Sequence, residues 1–149
     1  NVRPDLSYAV LKKGVFNGDY TYTNFKYVKI YEIIIGESNF EGSDFSFATI
    51  SKCRVLNYTT GSTLPSIIFK RTQFFKTKVF DSFFNRSEFN NANFSEAELQ
   101  STKFYVSKFK YSCFKKVKII KSEMMFDFFN VDFSYTIIVC SKIVYLITF

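Results

Sequence analysis

The sequence predicts an all-β solenoid, a chain wound into stacked coils that turns one corner in every five residues. Three observations carry this: an apolar residue returns at every fifth position over long stretches, a small residue stands two positions before it, and aromatic residues are abundant, with 21 Phe and 10 Tyr but no Trp among 149 residues. A hydrophobic content of 47% is enough for a continuous core. So many rings demand an architecture that can stack them.

The longest periodic run starts at Phe74 and continues through Val79, Phe84, Phe89, Phe94, Leu99, Phe104, Phe109, Phe114, Ile119, Met124 and Phe129. An earlier run passes through Phe25, Ile30, Ile35, Phe40, Phe45, Ile50 and Val55. At about 100° per residue, five helical steps rotate a side chain by about 140° and scatter these positions around a helix. On a flat strand an odd period alternates faces. The period is coherent when each repeat forms one side of a coil and returns one side chain to a common axis. The preceding small positions, among them Ser43, Ala48, Cys53, Thr72, Ala92 and Ser112, then mark inward corners with little room.

The two-column signature in Ala92-Asn93-Phe94-Ser95-Glu96 and Ala97-Glu98-Leu99-Gln100-Ser101 resembles the pentapeptide-repeat family, over Thr23 to Lys142. That resemblance implies a right-handed quadrilateral parallel β-helix with about 20 residues in each four-sided coil. Outward charges 20 residues apart should then lie at the strand spacing of about 4.8 Å and complement one another. They do so along Lys78, Glu98 and Lys118 and along Lys76, Glu96 and Lys116, with Glu88 set to meet Lys108 and Lys103 set to meet Glu123. The same arithmetic stacks Phe69, Phe89 and Phe109 in one interior column, Phe74, Phe94 and Phe114 in a second, and Phe104 over Phe84. About seven such coils make a rod roughly 34 Å long.

The expected organisation is a single solenoid domain over 1–149: an N-terminal cap at 1–19, a first repeat run at 20–56, a slip or loop at 57–63 and a second run at 64–149. Asp5 to Gly14 has an N-cap residue, a short apolar pattern and a closing Gly, which predicts a short capping helix. Between Val55 and Leu64 the apolar spacing is nine instead of ten, read as a bulge that absorbs a deleted residue or as a recognition loop from Tyr58 to Ser62. A second slip between Met124 and Phe133 leaves Phe126, Phe128 and Phe129 competing for the interior. The apolar stretch Ile143 to Phe149 offers an end for a partner, a second copy or further chain. The chain opens on Asn1, as a processed form or a piece of a longer protein would.

Composition narrows the function. With no His, mechanisms that need an imidazole are excluded, and the widely spaced Cys53, Cys113 and Cys140 form neither a CxxC motif nor an even framework, which favours a reducing compartment such as cytoplasm or an organelle interior. No apolar stretch reaches the roughly 18 residues of a spanning helix. Asp44, Asp81, Glu88, Glu96 and Glu98 fall at outward positions with no cleft implied, so neither catalysis nor a cofactor or metal is expected.

The net charge of +7 concentrates in Lys103, Lys108, Lys110, Lys115, Lys116, Lys118 and Lys121. Most of these have an acid one coil away, whereas Lys110, Lys115 and Lys121 do not. Tyr27, Tyr31, Phe47, Phe75, Phe80, Phe83, Tyr105, Tyr111 and Tyr135 all point outward, more rings than a freely soluble rod exposes. The candidate interaction surface is therefore Lys110, Lys115, Lys121, Tyr105, Tyr111, Phe75, Phe80 and Tyr58. The leading reading is a non-catalytic scaffold that binds proteins, as a subunit of a larger assembly. The alternatives are a nucleic-acid-binding subunit of a ribonucleoprotein and a DNA mimic that modulates a topoisomerase. The resemblance implies acidic surfaces for the last, and this chain is basic.

Overall fold

Backbone donors in this chain find their acceptors one coil away, not one turn away. In the computed structural model, which describes residues 3–55, 67–127 and 129–145, Leu6 N–H donates to Asn24 O at 2.8 Å, Phe25 N–H to Asp44 O at 2.8 Å and Phe74 N–H to Asn93 O at 2.7 Å. The strands that result are short: β1 (Val10–Asp19), β2 (Lys29–Asn39), β3 (Thr49–Ser51), β4 (Arg54–Val55), β5 (Ile67–Ile68), β6 (Lys78–Phe80), β7 (Ser87–Glu88), β8 (Glu98–Gln100), β9 (Lys103–Lys108), β10 (Lys118–Ile120), β11 (Glu123–Asp127), β12 (Ile137–Val139) and β13 (Lys142–Tyr145). They join in one sheet ordered β12-β10-β8-β6-β3-β2-β5-β7-β9-β11-β13, with β1 and β4 also paired to β2. Every pairing is parallel. The fold is an all-β solenoid of about 6 turns, with no helix among the described residues.

Four interior columns make the coil four-sided. One holds Phe25, Phe45, Phe74, Phe94 and Phe114, the next Ile30, Ile50, Val79, Leu99 and Ile119, the third Ile35, Val55, Phe84, Phe104 and Met124, and the fourth Phe40, Phe69, Phe89 and Phe109, all buried. In the fourth column the rings stack nearly parallel: Phe40 on Phe69 at 4.9 Å, Phe69 on Phe89 at 4.8 Å and Phe89 on Phe109 at 4.7 Å between centroids. The first column stacks likewise, with Phe74 on Phe94 at 4.6 Å and Phe94 on Phe114 at 4.8 Å. Between the two columns the rings meet at steep angles, as Phe89 does with Phe94 at 58°. Each buried ring contributes about 2 kcal/mol through its removal from water, and the ring contacts add about 0.5–1.5 kcal/mol per pair.

The small inward residues do more than fit. Their hydroxyls donate to the carbonyl of a central residue in the coil before: Thr72 Oγ1 to Phe40 O at 2.8 Å, Thr77 Oγ1 to Phe45 O at 2.7 Å, Ser107 Oγ to Phe84 O at 2.9 Å and Ser112 Oγ to Phe89 O at 2.7 Å. Serine and threonine thus tie neighbouring coils together where Ala92 and Ala97 only fill space.

Three expectations need correction. Residues 5–19 belong to the first coil and form no capping helix: Asp5 accepts the Ser7 N–H at 2.9 Å, Tyr8 (φ 61°) and Lys13 (φ 51°) take left-handed conformations that no α-helix tolerates, and Ala9 O accepts from Lys29 N–H. The break after Val55 is an insertion, not a one-residue deletion. Asp44 pairs with Gln73, Thr49 with Lys78 and Arg54 with Phe83, so this coil takes 29 residues where the coils on either side of it take 20. That longer coil also reduces the count from the expected seven to about 6 turns. Finally, Phe129, which the period places inside, is 51% exposed. The last coil takes 19 residues, and β11 changes register between Met125 and Phe126 to absorb the missing one. Phe128 and the segment 56–66, with Tyr58, Leu64 and the whole of 57–63, lie outside the described residues.

Corners obey a backbone rule. The residue two after most central positions is left-handed, with φ between 47° and 63° at non-glycine corners; Glu37 and Phe126, within the long strands β2 and β11, are exceptions. At Gly42 (φ 67°) an added Cβ would run into the Tyr22 ring. Many corners are braced by an Asp or Asn just before the central residue: the side-chain oxygens of Asp5, Asp19, Asn24, Asn39, Asp44, Asn93 and Asp132 each accept the N–H two residues on, at 2.8–3.1 Å. Val106 is the exception in chemistry, a β-branched residue at φ 53° in the bulge opposite Met125 and Phe126, with 55% of its surface exposed.

Two predictions follow from the corners. Val106→Asn relieves the strain of a β-branched left-handed residue and raises unfolding stability by about 1 kcal/mol, read from the denaturation midpoint; an unchanged or lower midpoint contradicts the strain. The Ser134 N–H holds the Asp132 carboxyl below its ordinary pKa, and Asp5 is lowered the same way by Ser7. A lowered folded pKa gives stability that is present above the unfolded value and lost as pH falls through the folded one, so the loss sets in below about pH 4. Asp132→Asn keeps the acceptor and removes the titration. Its melting temperature should match the parent near neutral pH and fall less steeply in acid, and parallel acid profiles would refute the linkage.

Candidate interaction surface

Each repeat leaves three positions outward, one on either side of the central residue and one at the corner. Parallel stacking turns these into vertical columns of side chains one coil apart, about 4.8 Å from neighbour to neighbour. A surface site on such a rod is a column or a pair of adjacent columns, and residues close in sequence are dispersed around the four sides.

The expected lysines show that dispersal. Lys110 follows Phe109, Lys115 follows Phe114, and Lys121 sits at the corner after Ile119, so the three lie on three different sides. Lys110 is not without an acid: its Nζ lies 3.3 Å from Asp127 Oδ2, because the shortened last coil brings Asp127 opposite Lys108 and within reach. Other charges pair across coils as Lys76 with Glu96 at 3.5 Å, Lys26 with Asp44 at 3.2 Å and Lys103 with Glu123 at 3.0 Å. Glu88, buried and opposite Lys108 in the sheet, turns instead to Lys70 at 3.2 Å and accepts from Asn90 Nδ2 at 2.7 Å. Lys78, Glu98 and Lys118 occupy one row in register.

Among the expected rings, Tyr105 donates its hydroxyl to Glu123, which also holds Lys103. The shared bonds lower the Glu123 pKa, chiefly through the Tyr105 hydroxyl, and raise those of Tyr105 and Lys103, chiefly through Glu123. Tyr111 is exposed and meets Phe129 edge-on at 5.5 Å. Phe80 is half-buried on β6. Phe75 packs edge-on against Phe47 at 5.6 Å with the Lys76 ammonium 5.1 Å from its ring.

That last contact belongs to a larger feature. Tyr8, Tyr27 and Phe47 are successive corner residues on the side of the first interior column, and their rings stack outside the coil at 4.8 and 4.9 Å, tilted by only 7° and 8°. Tyr8 is 71% exposed, Tyr27 41% and Phe47 40%. With Phe75 and the Lys76 ammonium they form one continuous aromatic strip across four coils. Tyr27, Phe47 and Phe75 were legible as outward rings. Tyr8 was not, because the first coil takes 19 residues (Leu11 faces Ile30) and a spacing of 20 does not reach it.

The cysteines are free. Cys53 lies wholly inside, donates its thiol to Ser51 O at 3.4 Å, and burial pushes its pKa up to about 11, so it stays protonated. Among the described residues no three His, Cys, Asp or Glu side chains gather as a metal site, and no helix is long and apolar enough to cross a membrane.

Residues 67–110 match the family model for pentapeptide repeats, in 8 copies. No curated protein matches the chain in sequence. Among solved structures the chain is similar to QnrB1, a plasmid-mediated fluoroquinolone resistance protein, at 12% identity and a TM-score of 0.46, covering 91% of this chain and 68% of that one. It is similar to a pentapeptide repeat protein of the Arabidopsis thaliana thylakoid lumen at 17% identity and 0.34, covering 76% and 63%, so it spans a little under two thirds of that protein. HetL of the cyanobacterium Nostoc, involved in heterocyst differentiation regulation, is similar at 9% identity and 0.27, covering 94% and 87%. Residues 67–110 thus carry pentapeptide repeats, and the same four-sided winding continues on both sides of them.

Proposed function

We propose that this protein is a non-catalytic scaffold that docks onto a protein partner through the aromatic strip of Tyr8, Tyr27, Phe47 and Phe75. The observation that carries the reading is the exposed stacking of Tyr8 on Tyr27 and Tyr27 on Phe47. Rings held in register lose little conformational freedom when a partner covers them, and aromatic anchors of this kind dominate protein interfaces. Lys76 and Lys26 at the border of the strip supply a polar rim, both engaged with carboxylates of the next coil.

The nucleic-acid reading has less support. It rested on Lys110, Lys115 and Lys121, of which the first is paired with Asp127, and the three do not share a side. A catalytic reading would need a nucleophile or paired acids in a cleft, and the buried Cys53 thiol is protonated at neutral pH.

The immobilised protein should retain a protein partner from its source lysate after nuclease treatment, and a Tyr27→Ser/Phe47→Ser variant should lose it by about tenfold or more, the loss expected for two interface anchors. Circular dichroism of the variant should still show a cooperative melt, since each outer ring pair adds only about 0.5–1.5 kcal/mol. Retention that nuclease abolishes, or that the double variant leaves unchanged, contradicts the proposal.

A further inference from the structure

A second outward feature lies on another side of the same coils. The side that carries Leu11, Ile30 and Ile50 in its interior column presents outward Val10, Lys29 and Thr49 before the central residue, Lys12, Tyr31 and Ser51 after it, and Lys13, Glu32 and Lys52 at the corner. The small Ser51 follows the large Tyr31 in the column, and the surface sinks beside them into an open groove of about 610 Å³. Lys12, Lys13, Lys29 and Lys52 line it, with Tyr31, Ser51 and one acid, Glu32.

The lysines of the rod divide into those that meet a carboxylate and those that do not. Lys26, Lys70, Lys76, Lys103 and Lys110 each have a carboxylate within ion-pair distance. Among the described residues, Lys12, Lys13, Lys29 and Lys52 have none, and Glu32 pairs with none of them although it sits between Lys13 and Lys52 in the corner column. The Lys12 ammonium rests 5.8 Å from the centre of the Tyr31 ring, which holds it over the groove. Four unneutralised ammonium groups around one concavity, against a single carboxylate, repel one another until an anion enters.

We propose that this groove binds an oligophosphate, a ligand with two or more adjacent phosphate groups. Lysines act as point charges on phosphate and do not impose the planar geometry of arginine. The Ser51 hydroxyl adds a neutral hydrogen-bonding group. Among the described residues the groove is lined by one ring, Tyr31, whereas a single-stranded nucleic acid needs a succession of stacking platforms along its path. This site is on a different side from the aromatic strip and does not depend on the scaffold reading.

Isothermal titration of the full chain with sodium tripolyphosphate at low salt tests it. One site is expected, weakened about tenfold or more by Lys12→Gln/Lys52→Gln, since hydrogen bonds to charged groups are individually worth that much. Glu32→Gln should tighten binding several-fold, a gain that no folding defect produces. Lys115→Gln/Lys121→Gln, which removes the same net charge elsewhere, should leave it unchanged. Titration with ATP separates two sources of the same chemistry: tighter binding than tripolyphosphate assigns a nucleotide with its base on Tyr31, and equal binding assigns the phosphate chain alone. Absence of binding, equal weakening by the control pair, or tighter binding of a single-stranded RNA through the same lysines overturns the proposal.

Discussion

The constraint on which this molecule depends is the match between two distances. Parallel strands sit about 4.8 Å apart, and phenylalanine rings stacked in the Phe69–Phe89–Phe109 column sit 4.8 and 4.7 Å apart. When coils have equal length, every ring lands on the ring below and every backbone N–H on a carbonyl. A coil of any other length must restore that register before the next ring arrives. The 29-residue coil does so, because Phe69 stacks on Phe40 at 4.9 Å as closely as it does on Phe89. The first coil recovers one residue between Phe16 and Gly18, and the last recovers one at Val106. Irregularity is pushed into corners, where outward side chains absorb it without disturbing the core.

The same constraint decides where chemistry can occur. Inward positions are taken by rings, aliphatic side chains and hydroxyls already bonded to carbonyls, so groups such as Cys53 are sealed in and kept protonated. Outward positions are plentiful but scattered, and a run such as Lys103 to Lys121 is carried around all four sides of the coil. Function has to be built along a column, coil upon coil, as in the Tyr8–Tyr27–Phe47 strip and the groove under Lys12 and Tyr31. Both features lie mainly on the first coils, away from the lysine run that dominates the sequence.

This explains what could be read from the sequence and what could not. The five-residue period reveals a four-sided coil because the central residues from Phe25 to Met124 that the structure describes are buried whatever their neighbours do, and the charge rows at Lys78, Glu98 and Lys118 follow from equal coil length. Relations across a coil of unequal length were hidden: Phe40 under Phe69, Tyr8 under Tyr27, and Asp127 beside Lys110. The hydrogen bonds of Thr72, Thr77 and Ser112 were hidden for another reason, since a small residue at a corner looks the same whether it fills space or donates. The helix expected at Asp5 failed because an Asp that opens a helix and an Asp that braces a corner carry the same local signal.

The most direct test of the register argument is a deletion series between Val55 and Ile67, followed by thermal unfolding. Removing nine residues converts the 29-residue coil into one of 20 and leaves Phe69 to follow Val55 at the ordinary pitch. That protein should melt cooperatively within a few degrees of the parent, while neighbouring deletions of eight or ten residues, which set every later ring one position out of place, should lose the cooperative transition. If the nine-residue deletion unfolds as readily as its neighbours, or if all three melt alike, ring register does not govern the coil.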